Sequence, residues 1–94
     1  MDMRALMKQA QKMQESIQRE IAEMKVEGSA GGGMVTVSMA GNRELLSVRI
    51  APEVVDSRDA EMLEDLVRAA VNEANRKVEE ALSQKMTGLT LPGF

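Results

Sequence analysis

Ninety-four residues, 44% apolar and 29% charged, suffice for one globular domain with one modest core. With no Cys there can be no disulfide framework or thiolate metal site, and with no His the commonest general base and metal ligand is missing. The net charge of −3 argues against indiscriminate nucleic-acid binding, but the acid is concentrated. Glu53, Asp56, Asp59, Glu61, Glu64 and Asp65 stand against Arg58 alone, and the rest of the chain is slightly positive.

Residues 3 to about 25 form an amphipathic helical pattern. Met3, Leu6, Ala10, Met13, Ile17 and Met24 follow steps of three and four, interrupted at Glu20 and flanked by Met7 and Ile21. At 1.5 Å per residue such a helix is roughly 35 Å long, whereas a seven-residue strand is only about 23 Å. The helix therefore overhangs any sheet it joins, and its apolar seam needs a partner, either the second helix, another copy of the chain, or both.

The middle of the chain changes period. Val35, Val37 and Met39 alternate with Thr36 and Ser38, and Leu46, Val48 and Ile50 alternate with Ser47 and Arg49. Both runs predict half-buried strands. Gly41-Asn42 between them predicts a tight turn, since both residues tolerate positive φ. A third strand near Val26–Ala30 joins through Gly31-Gly32-Gly33. A phosphate-cradling loop needs a strand before it and a helix with Lys-Ser/Thr after it. Here a strand follows, so these are turn and bulge glycines. The result is a small antiparallel sheet, apolar on one face and polar on the other.

Ala51-Pro52 ends the last strand. Ser57 or Asp59 can cap a second helix over about Ala60–Met86, whose positive dipole end accounts for Glu61, Glu64 and Asp65 better than a carboxylate metal site does. Its stripe is Leu63, Leu66, Val67, Ala70, Val71, Ala74, Val78, Ala81 and Leu82. The alanines admit a close neighbour. The first half should cover the sheet and the second half project. Residues 1–86 thus form a single domain, and 87–94, ending Leu91-Pro92-Gly93-Phe94, are expected to be a flexible tail.

No catalytic constellation is visible, because the Ser residues have no base to activate them. No enzymatic activity, cofactor, metal or small-molecule substrate is expected. No apolar run reaches membrane-spanning length, and the start lacks the apolar core of a signal peptide, so a cytoplasmic protein with no membrane partner is expected. The remaining chemistry is charge. Arg4, Lys8 and Lys12 are spaced four apart along the first helix, with Arg19 further on. Arg76, Lys77 and Lys85 fall in the second half of the other helix, and Arg68 nearer the sheet. These are either solvated faces, paired in part with Glu15, Glu73, Glu79 and Glu80, or one weakly basic end suited to phosphate contacts. With a single aromatic residue, Phe94, base stacking on single strands is disfavoured.

Three blocks carry a family resemblance: Leu6-Met7-Lys8-Gln9-Ala10-Gln11-Lys12-Met13-Gln14, then Glu27-Gly28-Ser29-Ala30-Gly31-Gly32-Gly33-Met34-Val35-Thr36-Val37 with Gly41, then Glu61-Met62-Leu63-Glu64-Asp65-Leu66-Val67 with Ala70, Asn72 and Ala74. With the Leu91-Pro92-Gly93-Phe94 tail, they make the chain resemble the YbaB/EbfC family of bacterial nucleoid-associated DNA-binding proteins over nearly its whole length. The resemblance implies an α+β, two-layer α-β-β-β-α fold with a three-stranded antiparallel sheet, and a tweezers-shaped homodimer whose projecting helices contact double-stranded DNA. It also implies little or variable sequence preference, a role in nucleoid organisation or gene regulation, and no catalysis. Its DNA-contacting residues map to Arg4, Lys8, Lys12, Arg19, Arg76, Lys77 and Lys85. The alternative from the residues alone is a small coiled-coil-like adaptor for a recombination or replication protein, with no direct DNA contact.

Overall fold

Asp2 starts the first helix: its carboxylate accepts a hydrogen bond from the Arg4 N–H at 3.0 Å, satisfying a donor that the first turn leaves unpaired. Helix α1, Met3–Glu23, follows. Met24 is already extended, so the chain passes directly into strand β1, Lys25–Ala30. Strands β2, Val35–Ala40, and β3, Leu45–Ile50, complete an antiparallel sheet of order β1-β2-β3. Two 3-10 turns, Pro52–Val54 and Ser57–Asp59, lead to helix α2, Ala60–Gly88. The computed structural model describes residues 2–88, so Leu91-Pro92-Gly93-Phe94 and most of the expected tail lie outside the described residues.

This is the expected α+β order of helix, three strands and helix. Asp59 caps α2, accepting from the Met62 N–H at 3.2 Å. Helix α2 runs through Thr87 and Gly88, past the expected end near Met86.

Helix α2 lies on the β1–β2 half of the sheet. Val35, Val37 and Met39 of β2 meet Ala70, Ala74 and Val78 of α2 in the buried core, with Val26, Ala30, Leu63, Leu66, Val67, Val71 and Leu82 around them. The sequence pattern put the covering stretch in the first half of α2, but it is the middle that covers. The reason is Gly28. A Cβ there would collide with the Ala70 carbonyl oxygen and the Ala74 backbone nitrogen, so glycine beneath two alanines sets where the helix comes closest.

The two chain reversals differ. Gly31, Gly32 and Gly33 all take positive φ, at 65°, 68° and 92°, as a glycine run in a turn permits. In the second reversal positive φ falls on Arg43 at 72°, not on Gly41 or Asn42 as the sequence suggested. Asn42 instead accepts from the Glu44 N–H at 3.0 Å, and the Arg43 guanidinium reaches Asn75 Oδ1 of α2 at 2.9 Å. That bond offsets the cost of the unusual backbone. Gly41 serves closeness: its N–H donates to the Met24 carbonyl at 3.0 Å, and a Cβ there would strike the Ile21 carbonyl oxygen. The end of α1 is thereby fastened to the β2–β3 turn.

The two sheet edges are unlike. At β1 the Ser29 N–H donates to Glu73 at 3.3 Å, and Lys77 Nζ donates to the Glu27 carbonyl oxygen at 2.7 Å. Side chains of α2 thus occupy outward backbone groups of that edge. Strand β3 is exposed along its whole length. Val37 pairs with Val48 and Val35 with Ile50, so these β3 residues share the face that α2 covers over β1 and β2. Yet Val48 is 42% exposed and Ile50 37%, because α2 does not reach them. The apolar face expected from the alternation is real but only half covered.

Candidate nucleic-acid interface

Helix α1 has no buried residue. Its level relative to α2 is marked by one ion pair, Lys85 Nζ to Glu20 at 2.9 Å. From that level α2 runs back to Ala60 over about 38 Å, and α1 runs to Met3 over about 26 Å. The molecule measures 69 Å along its longest axis, which those lengths supply only if the two run in opposite directions from the contact. The first part of α1 therefore stands clear of the body.

This placement separates residues that the sequence grouped. The start of α1 and the end of α2 do not form one basic tip, because Lys85 meets α1 at Glu20, about 24 Å from Arg4. Arg4, Lys8 and Lys12 form a continuous stripe on the free part of α1, and Arg19 follows on the same side. At 100° per residue this side lies about half a turn from the seam of Met3, Leu6, Ala10, Met13 and Ile17. One helix thus carries a cationic face and an apolar face back to back. Among the described residues, Arg4, Lys8, Lys12, Arg19 and Arg76 make no side-chain ion pair.

Lys77 and Lys85 are placed otherwise. Lys77 lies over the sheet, not in a projecting half. It is held by Glu27 and by Glu73 at 3.3 Å, where the carboxyl sits below the usual glutamate range. The Ser29 N–H is the main cause, followed by the Lys77 ammonium. Lys85 pairs with Glu20. Arg76 stands next to Lys77 on α2, at the level of the core residues Ala74 and Val78.

The acid-rich block lies at the far end of the molecule. Asp56 accepts from the Arg58 backbone N–H at 2.9 Å and pairs with its guanidinium at 3.2 Å. Those two bonds, the backbone one first, hold its carboxyl below the usual aspartate range. Asp65 pairs with Arg68 at 3.0 Å. From Ala60 to Lys85 is about 38 Å, so the acidic end and the cationic stripe are widely separated and the molecule is strongly polar. Among the described residues no polar or charged side chain is buried, no group of three or more His, Cys, Asp or Glu is arranged to hold a metal, and no helix is long and apolar enough to cross a membrane.

Sequence reasoning missed the intramolecular engagement of Lys77, since its partner Glu27 is on another element. It also missed the open β3 face, which alternation alone cannot distinguish from a covered one.

Comparison with known proteins gives a consistent picture. The model of the YbaB/EbfC DNA-binding family matches residues 1–94. A nucleoid-associated protein of Alkaliphilus metalliredigens is 50% identical over 100 residues, covering 99% of this chain and 88% of its own. A nucleoid-associated protein of Koribacter versatilis is 50% identical over 93 residues, covering 95% and 92%. The crystal structure of an uncharacterized protein from Helicobacter pylori superimposes with a TM-score of 0.76 over 95% of this chain and 97% of that one, at 24% identity, and shares its fold.

Proposed function

Because this chain belongs to the YbaB/EbfC DNA-binding family, we propose that it binds duplex DNA as a homodimer through cationic side chains of its helices. It is a nucleoid-associated DNA-binding protein, as its relatives at about half identity are named. By binding duplex it organises the nucleoid, regulates gene expression, or both, and it acts by binding rather than catalysis.

The observation that carries the reading is the unpaired stripe of Arg4, Lys8 and Lys12 on a helix that stands clear of the body. Cations free of internal partners can neutralise phosphates and release the counterions condensed on the duplex. Such contacts position the protein without reading bases, and the acidic end faces away from them. Arg19 and Arg76 extend the contact from the body. Lys77 and Lys85 contribute after exchanging their internal partners, so they should matter less.

The homodimer reading rests on the sheet. Edge β1 is occupied by α2, while β3 presents its edge and Val48 and Ile50 beside a groove lined by Ala60, Leu63 and Val67. An exposed strand edge with an apolar face invites another chain. Two copies related by a two-fold axis would cover this face on both and double the number of cationic helices on the DNA.

The test is the double substitution Lys8→Glu, Lys12→Glu, titrated against a labelled duplex and melted alongside the unaltered protein. Binding should be lost with little change in melting temperature. Retained affinity at equal stability would remove the α1 stripe from the interface.

A further inference from the structure

The cationic face of α1 has a use in the reading above, but its other face does not. Met3, Met7 and Met13 are 72%, 62% and 63% exposed there, on a helix with no buried residue. Methionine usually fills gaps in a core, and this helix has no core to fill. What a thioether offers that leucine does not is a sulfur that accepts oxygen. The chain has no Cys, His, Trp or Tyr, so methionine is its most readily oxidised side chain.

Exposure sorts the methionines. Met34 and Met62 are 43% and 40% exposed, and Met39 is only 3% exposed, in the core between β2 and α2. A sulfoxide at Met39 would put a polar oxygen into that core. On α1 it displaces no packing, because the row faces solvent. The row is also reachable by a second protein, since the free part of α1 stands clear of the body. At 100° per residue, Met3 and Met13 lie about 140° from the centre of the Arg4, Lys8 and Lys12 stripe, and Met7 about 100°. A duplex held by those cations leaves the sulfurs open.

We propose that Met3, Met7 and Met13 are a reversible oxidation site, a row of thioethers that takes up oxygen from peroxides while the fold and the cationic stripe stay intact. Each sulfur attacks one oxygen of hydrogen peroxide and gives up two electrons as the O–O bond breaks. The attacked oxygen becomes the sulfoxide, and its proton joins the departing hydroxide, which leaves as water. A dithiol reductase reverses the step: the sulfoxide oxygen leaves as water and the two thiols become a disulfide. The site does not rest on DNA binding; only its position on the nucleoid does.

The test is a time course of hydrogen peroxide on the whole chain, free and bound to duplex, with each methionine followed by peptide mass spectrometry. Where rate follows exposed area, Met3, Met7 and Met13 should oxidise about twentyfold faster than Met39, the ratio of their exposures, with Met34 and Met62 between. Duplex should leave the three rates unchanged, and methionine sulfoxide reductase with a dithiol should restore all three. Rates on α1 as slow as that of Met39, rates that duplex suppresses, or sulfoxides that the reductase leaves in place overturn the proposal. Affinity for duplex and melting temperature should survive oxidation of the row. The variant Met3→Leu, Met7→Leu, Met13→Leu, a swap of similar volume, separates the row from slower oxidation elsewhere. Equal behaviour of variant and unaltered protein after peroxide supports the proposal, and a loss of affinity or stability in the unaltered protein alone overturns it. Failure of the unoxidised protein to bind duplex would overturn the DNA reading and not the site, which the time course on the free protein decides.

Discussion

The ammonium of Lys77 lies 2.7 Å from the carbonyl oxygen of Glu27. A residue that charge pattern places among the DNA contacts is engaged in closing the edge of β1, together with Glu73. The same arrangement makes β3 the edge left open, so one pair of residues bears on both of the surfaces proposed above, that for DNA and that between copies. Lys77→Ala should therefore lower stability modestly, by about 1 kcal/mol as for an ordinary hydrogen bond, and weaken DNA binding less than Lys8→Ala. Chemical denaturation with duplex titrations of both variants checks the order; a larger binding loss for Lys77→Ala would place it in the interface.

Gly28 is the point of closest approach of sheet and helix. Gly28→Ala puts a methyl into the backbone of α2 at Ala70 and Ala74, so the helix must lift from the sheet. Overpacking of this kind costs about 1–3 kcal/mol or more, and each kcal/mol lowers the melting temperature of a domain this size by about 4–8 °C. A thermal melt decides it, and an unchanged melting temperature would mean that α2 does not depend on that contact.

Glu73 gives a pH dependence whose sign is fixed. Its folded-state pKa lies below the usual 4.5, chiefly through the Ser29 N–H and then Lys77. A depressed carboxyl pKa contributes stability that is complete above the unfolded value and is lost as pH falls through the folded one. The stability difference between the unaltered protein and Glu73→Ala should be full at neutral pH, shrink below pH 4.5 and disappear in stronger acid. Denaturation at a series of pH values measures it; a difference independent of pH would separate the contact from the charge.

Val48→Asp tests the open face of β3. Val48 is already 42% exposed in the protomer, so the change leaves no cavity and the protomer should stay folded. It buries an unpaired carboxylate if two copies meet there. Sedimentation at micromolar concentration should give a dimer for the unaltered protein and a monomer for the variant. Equal dimerisation of both would move the interface elsewhere.

What the sequence disclosed follows from the range of the forces involved. Strands β2 and β3 were legible because one face of each is apolar at period two, and α1 and α2 because their stripes recur at steps of three and four. Strand β1 was fainter, since its contact residue is Gly28, which carries no hydrophobic signal. Asp59 was readable as a cap because capping is local. The pairing of Arg43 with Asn75, Lys77 with Glu27 and Lys85 with Glu20 was not, since each joins residues far apart in the chain. For the same reason the cationic residues could be named but not sorted. The sequence could not tell the free stripe on α1 from the lysines of α2 that already have partners.

The most direct test of the central claim is the anisotropy of a labelled duplex titrated with the protein at several salt concentrations. The three stripe cations of α1 in each protomer, six in a dimer, predict that the logarithm of affinity falls linearly with the logarithm of salt, with a slope of about −5 that Arg19 and Arg76 make steeper. An affinity that does not change with salt, or no binding at low salt, would contradict phosphate contact through the helices.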